Sequence, residues 1–149
     1  MKKFELTTNT KMFLGKKLFQ IKALISFGDV KAGELGGYIE KEENLSQTGD
    51  AWVFDNARVF DNARVSGNAR VSGNACYTTI KGFGREYRTT TFFRCKDGKV
   101  RVQCGCFYGD LKEFRAIVKK THGESKKAKE YLMIADLMEL HFEENENDK

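Results

Sequence analysis

Histidine is scarce in this sequence: among 149 residues only His122 and His141 occur, and neither lies in the repeated segment described below. Cysteine is limited to Cys76, Cys95, Cys104 and Cys106. In a reducing compartment such thiols stay free, which argues against a disulfide framework. Long apolar runs are missing too, and none approaches the roughly 18 residues of a membrane span. The basic opening Met1-Lys2-Lys3 is followed by polar Thr and Asn, where a signal peptide needs an apolar stretch. The expectation is a soluble, cytoplasmic protein with no membrane partner. Hydrophobic residues still make up 40% of the chain, enough for a core in one compact domain or two small modules that support each other.

The net charge of +5 is distributed in blocks. Residues 1–32 carry +5, residues 33–75 carry −3, residues 76–135 carry +8 and residues 136–149 carry −5. A basic block between acidic ones points to a polyanionic partner or an acidic protein surface, and the competing reading is a solvated face.

The strongest pattern is an internal repeat. Asp55-Asn56-Ala57-Arg58-Val59-Phe60 is followed by Asp61-Asn62-Ala63-Arg64-Val65-Ser66, then Gly67-Asn68-Ala69-Arg70-Val71-Ser72, then Gly73-Asn74-Ala75. Fainter copies reach upstream through Ile39 and Leu45. A period of six fits neither the 3.6 of a helix nor a hairpin. It fits a coil whose flat sides take six residues each, with Val inside, Ala in the tight corner, and Asp-Asn or Gly-Asn at a turn where a left-handed backbone costs little. Three sides make a coil of 18 residues, so residues 39–77 supply about two coils.

This stretch resembles the hexapeptide repeat of left-handed β-helix proteins, best known from acyltransferases. The lead-in Gly28-Asp29-Val30-Lys31-Ala32-Gly33 and Leu35-Gly36-Gly37-Tyr38-Ile39-Glu40 resembles that of hexapeptide-repeat proteins from bacteria and their phages. Phe54 and Phe60 depart from the pattern, standing where small or acidic residues are usual. The acyltransferase reaction uses a histidine held between coils as general base, and the repeats here hold none. The chemistry therefore does not follow from the fold. The expectation is a protein that is not an enzyme and needs no cofactor.

The predicted fold is mostly β with C-terminal helices (α+β): a short left-handed β-helix plus a β-hairpin and two-helix module. Residues 1–38 form an N-terminal β cap, 39–77 the repeat, and 78–149 the basic hairpin, two helices and an acidic, frayed tail. In the cap, residues 18–24 alternate as a strand that segments 4–6 and 12–14 can pair with. A cap is needed because a coil end exposes apolar core and unpaired backbone. Phe54 and Phe60 either lie beneath this cap or, with Trp52, form a protein-contact patch.

Residues 88–96 and 99–108 read as strands of a hairpin around the turn Asp97-Gly98. A two-residue turn sets Lys96 opposite Lys99, Cys95 opposite Val100, Arg94 opposite Arg101 and Phe93 opposite Val102. One face then holds Thr91, Phe93, Cys95, Val100, Val102, Cys104 and Cys106 as core. The other holds Phe92, Arg94, Lys96, Lys99, Arg101 and Gln103, with like charges opposed. An anion bound by Arg94, Arg101, Lys96 and Lys99 would relieve the repulsion, and Phe92 could stack on a base. Cys95 falls too far from Cys104 along the strands for one metal, so the cysteines read as small buried residues and no metal site is expected.

Asp110 and Glu113 form a capping box for a first helix with an apolar stripe of Leu111, Phe114, Ile117 and Val118, ended by Gly123. Ser125 caps a second helix running to about Phe142. Its stretch from Tyr131 to Leu140 is apolar nearly all round, which suggests burial by a second chain, hence a homo-oligomer (dimer or trimer). His122, at the end of the first helix, helps cap it, and His141 is structural.

The strings Thr89-Thr90-Thr91-Phe92 and Cys104-Gly105-Cys106-Phe107 also resemble the C-terminal part of phage and prophage proteins. Small phage proteins of this kind are often inhibitors of host defence, such as anti-CRISPR proteins. The resemblance thus implies an accessory protein in the host cytoplasm that blocks a host protein or nucleoprotein complex by binding it. Rival readings are a nucleic-acid-binding module built on the hairpin, and a degenerate hexapeptide-repeat acyltransferase or nucleotide-binding protein.

Overall fold

A computed structural model of the protein describes residues 2–72, 76–84, 88–95, 97–105 and 107–143. The fold is mostly β with two C-terminal helices. Strands β1 (Phe4–Phe13) and β2 (Lys16–Ala23) form an antiparallel hairpin, turned through Leu14 and Gly15, both at positive φ. Strand β3 (Leu35–Ile39) adds antiparallel to β2, with Phe19 opposite Ile39.

Pairing then turns parallel. Ile39 lies beside Val59 in β5 (Arg58–Val59), and Leu45 bridges to Val65. Val53 in β4 (Trp52–Val53) lies beside Val71 in β6 (Arg70–Val71). The partners are 20, 20 and 18 residues apart; each parallel ladder is only two residue pairs long, Leu45–Val65 is a single bridge, and the ladders fall in two different sheets. The slots of the six-residue period are occupied as expected. Val53, Val59, Val65 and Val71 are buried, as are Ala51, Ala57, Ala63 and Ala69; Ile39 and Leu45, two residues out of phase with the valines, are buried as well. The turns between them place Asp55 (φ 51), Asp61 (φ 56) and Gly67 (φ 67) in the left-handed region. Only Gly67 is also sterically obliged to lack a side chain, since a Cβ there would run into the Tyr108 hydroxyl.

Asn44 ties the segment 40–44 to the segment 61–63 from inside. Its Oδ1 accepts from the Glu40 and Lys41 amides at 3.1 and 2.9 Å, and its Nδ2 donates to the Asp61 and Ala63 carbonyls at 3.1 and 2.9 Å. Lys3, also buried, donates its ammonium to Ala51 O at 2.8 Å and Gly49 O at 3.2 Å and lies over the Phe27 ring. Desolvation pulls the Lys3 pKa down to about 8.

The rest of the chain is an antiparallel meander of β7 (Tyr77–Ile80), β8 (Thr90–Arg94), β9 (Val100–Cys104) and β10 (Phe107–Asp110), followed by α1 (Leu111–His122) and α2 (Lys126–His141). Both helix starts are as the sequence indicates. Asp110 accepts from the Glu113 amide with Glu113 reciprocating, and Ser125 accepts from the Ala128 amide. Of the α1 stripe, Phe114 and Val118 are buried and Leu111 partly so, while Ile117 is exposed.

The register of β8 and β9 differs from the expected one. Arg94 pairs with Val100, Phe93 with Arg101 and Phe92 with Val102. Cys95 N donates to Lys99 O, and Gly98 N, at φ 84, donates to Cys95 O. The connection is thus three residues long, one more than Asp97-Gly98 alone, and that one-residue slip moves every β9 side chain to the opposite face relative to β8. It also removes the expected opposition of Arg94 and Arg101. Phe92, Val102 and Val100 now face the helices, while Phe93 and Cys95 join the core of the repeat. Strand β8 is buried on both sides. It is fastened to the repeat by an Ala69–Cys95 bridge and by Thr91 Oγ1 accepting from Arg64 N at 3.0 Å.

Candidate functional site

Among the described residues, Arg94, Lys99 and Arg101 of the cations expected on the hairpin are not gathered into one face. Arg94 donates to the Phe142 carbonyl at 2.5 Å and its guanidinium lies 5.7 Å from the Phe142 ring centre, so it closes the C-terminal end of α2. Arg101 holds Asp97 with both guanidinium nitrogens at 3.2 and 3.0 Å, which keeps the Asp97 carboxyl below its ordinary range. Lys99 is exposed beside a groove it shares with Lys112 and Glu143. Phe92 is 0% exposed and meets Phe114 edge-on at 5.9 Å, so it cannot stack on a base. Lys96 and Cys106 lie outside the described residues.

The aromatic contact patch is likewise redistributed. Trp52 is only 1% exposed, held edge-on by Phe4 and Phe27, and is a core residue. Phe60 lies against Phe13 of β1 at 5.5 Å, beneath the N-terminal hairpin. Phe54 is half-buried under the Arg70 guanidinium. The cap reading accounts for Phe60, and an exposed patch of the three does not exist.

A different basic cluster forms where the repeat meets the meander. Arg64, Lys81 and Arg88 line one cavity of about 330 Å³ together with Asn62, Thr89, Gln103 and Gly105. Each is placed by its element. Arg64 follows Ala63 in the repeat, with its amide fixed by Thr91. Lys81 leaves the end of β7 and Arg88 enters β8. The Arg88 guanidinium fits against Gly105, where a Cβ would sit 2.5 Å from Nη1. Gln103 is clamped as a wall, accepting from Ser66 Oγ at 2.9 Å and donating to Gly105 O at 2.9 Å. A further cation stands at the rim, since Lys41 Nζ donates to Asn62 Oδ1 at 2.8 Å. A second cavity of about 320 Å³ shares Arg64 and Gln103 but is lined by Glu42 and Glu43. Arg64 therefore separates a basic cleft from an acidic one.

The three arginines of one repeat slot make the contrast plain. Arg58 stacks on Phe13 at 3.8 Å. Arg70 stacks on Phe54 at 4.6 Å and pairs with Asp29 at 3.0 Å. Arg64, with the same sequence neighbours, opens instead to the cleft. Reading along the chain missed this cluster because its members are brought together only by tertiary packing.

Such an arrangement can hold the oxygens of an anion between guanidinium and ammonium groups, with amide and hydroxyl groups at its edge. Cys95 is buried beside Tyr108, and burial raises its thiol pKa. Among the described residues no group of three His, Cys, Asp or Glu side chains is placed to hold a metal ion. Among them, too, no helix is long and apolar enough to cross a membrane. Comparison with models of known protein families finds no match, and comparison with curated proteins finds none.

Proposed function

We propose that this protein acts by binding, as a phage-type accessory protein that blocks a nucleoprotein surface of a host defence system in the host cytoplasm. Its grip on that target is the basic cleft, which takes a phosphate backbone. The observation that carries this reading is the convergence of Arg64, Lys81 and Arg88 on one cavity of about 330 Å³. In the same reading residues 39–71 are two turns of a left-handed β-helix, a stiff platform that fixes one wall of the cleft. The parallel partners at 20, 20 and 18 residues and the left-handed corners at Asp55, Asp61 and Gly67 support that description. A pre-ordered cleft loses little conformational entropy on binding. The same cleft also favours the simpler reading of a nucleic-acid-binding module.

Affinity capture from bacterial lysate, with and without nuclease, separates the two. A stoichiometric protein partner that survives nuclease supports the blocking role and identifies the target. Recovery of nucleic acid alone favours the simpler module. In either case the triple variant Arg64→Ala/Lys81→Ala/Arg88→Ala must lose capture. Unchanged capture by that variant would remove the cleft from the function.

A further inference from the structure

The basic cleft has a neighbour of different chemistry. Phe13, Leu14, Phe60 and Tyr77 line a cavity of about 310 Å³, with Asp61 and Thr79 also in its wall. The same two segments of chain build both cavities. Phe60 and Asp61 line the aromatic one, and Asn62 and Arg64, next along the repeat, line the basic one. Tyr77 and Thr79 of β7 line the aromatic one, and Lys81, just beyond the end of β7, lines the basic one. Thr79 and Lys81 are two residues apart, about 7 Å at the rise of an extended strand.

The two cavities differ in charge. Asp61, the carboxylate in the aromatic wall, is answered by Lys16 at 2.5 Å. The cleft beside it gathers Arg64, Lys81 and Arg88, all exposed, and no carboxylate stands among its described lining residues. The rings of the aromatic cavity are only partly buried: Phe13, Phe60 and Tyr77 each keep some exposure. Phe60 meets Phe13 edge-on at 5.5 Å, and Arg58 covers one face of Phe13. Leu14 is 75% exposed and sits at φ 50 in the hairpin turn, an apolar side chain held in solvent on a left-handed backbone.

We infer that the aromatic cavity takes one unstacked base of a single-stranded nucleic acid whose phosphates lie in the basic cleft. A nucleotide has the same two parts at the same reach, a flat uncharged ring and an anion. Rings and an exposed leucine favour the first, and guanidinium and ammonium groups the second. In a duplex the bases are paired and stacked inside, so the phosphates can enter the cleft but no base reaches the aromatic cavity. This inference rests on the reading of the cleft as a phosphate site and narrows its ligand to single strands.

Fluorescence anisotropy with three labelled probes tests it: an oligothymidylate, the same strand with abasic units in place of its bases, and the thymidylate–adenylate duplex. The intact protein should bind the oligothymidylate about tenfold or more tightly than the abasic strand. Phe60→Leu, which keeps an apolar side chain but removes the ring, should cancel that advantage. It should leave the affinity for the abasic strand and the duplex, and the salt dependence of both, unchanged, because no phosphate contact is lost. Leu14→Gly, which suits the positive φ, should weaken oligothymidylate binding about threefold through lost apolar contact. Circular dichroism checks that each variant folds. Equal affinity for the thymidylate and abasic strands, with binding of both lost in Arg64→Ala/Lys81→Ala/Arg88→Ala, would overturn this inference and leave the cleft standing. An equal loss of duplex and single-strand binding in Phe60→Leu would overturn it too. Absence of binding to all three probes would overturn the cleft reading and this inference with it.

Discussion

Phe92 and Phe93 are consecutive in β8, and their rings enter two different cores. Phe92 meets Phe114 of α1 edge-on at 5.9 Å, whereas Phe93 stacks with Tyr108 at 6.2 Å and belongs to the cluster formed with the repeat. Each should cost about 3–5 kcal/mol on truncation to alanine. The consequences should differ in place. Amide hydrogen exchange is expected to lose protection in α1 and α2 for Phe92→Ala, and in residues 51–71 for Phe93→Ala. Identical exchange patterns would mean that the two cores open as one.

Asn44 satisfies two amides and two carbonyls at once. Asn44→Ala should leave them without side-chain partners and cost about 2–4 kcal/mol in urea unfolding. Asn44→Asp keeps the acceptor but loses the donor to Asp61 O and Ala63 O, so it should not restore stability. A loss below about 0.5 kcal/mol for the alanine variant would show that water replaces the carboxamide.

Stability at alkaline pH should carry the signature of Lys3. Its pKa falls from 10.5 to about 8 on folding, so between these values the unfolded chain binds more protons and stability rises with pH. Burial raises Tyr77 and Tyr108 to about 12, so their contribution is lost as pH climbs from about 10 toward 12. Thermal melts of the wild type and Lys3→Met from pH 7 to 10 should diverge, the wild type gaining relative to the variant above about pH 8. Parallel curves would show that Lys3 titrates normally.

Arg58 and Arg64 share one slot of the repeat and should respond oppositely. Arg64→Ala should leave the melting temperature within about 2 °C and weaken binding of an oligonucleotide, with the slope of log affinity against log salt reduced by about 0.7–0.9. Arg58→Ala removes the stacking on Phe13 and should cost about 1 kcal/mol of stability without changing that slope. A binding loss from Arg58→Ala equal to that from Arg64→Ala would spread the surface well beyond the cleft.

The parts of this fold set by short-range chemistry were legible in the chain. The six-residue period placed Val59, Val65 and Val71 inside and Asp55, Asp61 and Gly67 at corners, because each slot has one steric solution. Asp110, Glu113 and Ser125 marked helix starts because caps act within four residues. The hairpin register was not legible, since Asp97-Gly98 serves a two-residue or a three-residue connection equally well. Adjacent Phe92 and Phe93 held the missing signal: two neighbouring aromatics in one strand require both faces to be covered. Of the candidate site the chain disclosed only a surplus of positive charge. The choice among its many lysines and arginines was made by distant partners, Asp97 and Phe142 occupying Arg101 and Arg94 while Gly105 made room for Arg88.

The meander meets the repeat through an antiparallel bridge between Ala69 and Cys95, and the Thr91 hydroxyl occupies the Arg64 amide. A parallel ladder left open at that edge would be a template for the first turn of another molecule, and copies could join head to tail into a fibre of unlimited length. The antiparallel bridge at Ala69 and the occupied Arg64 amide instead cover part of that edge from within the same chain, which is the covering that edge strands need against pairing with other molecules.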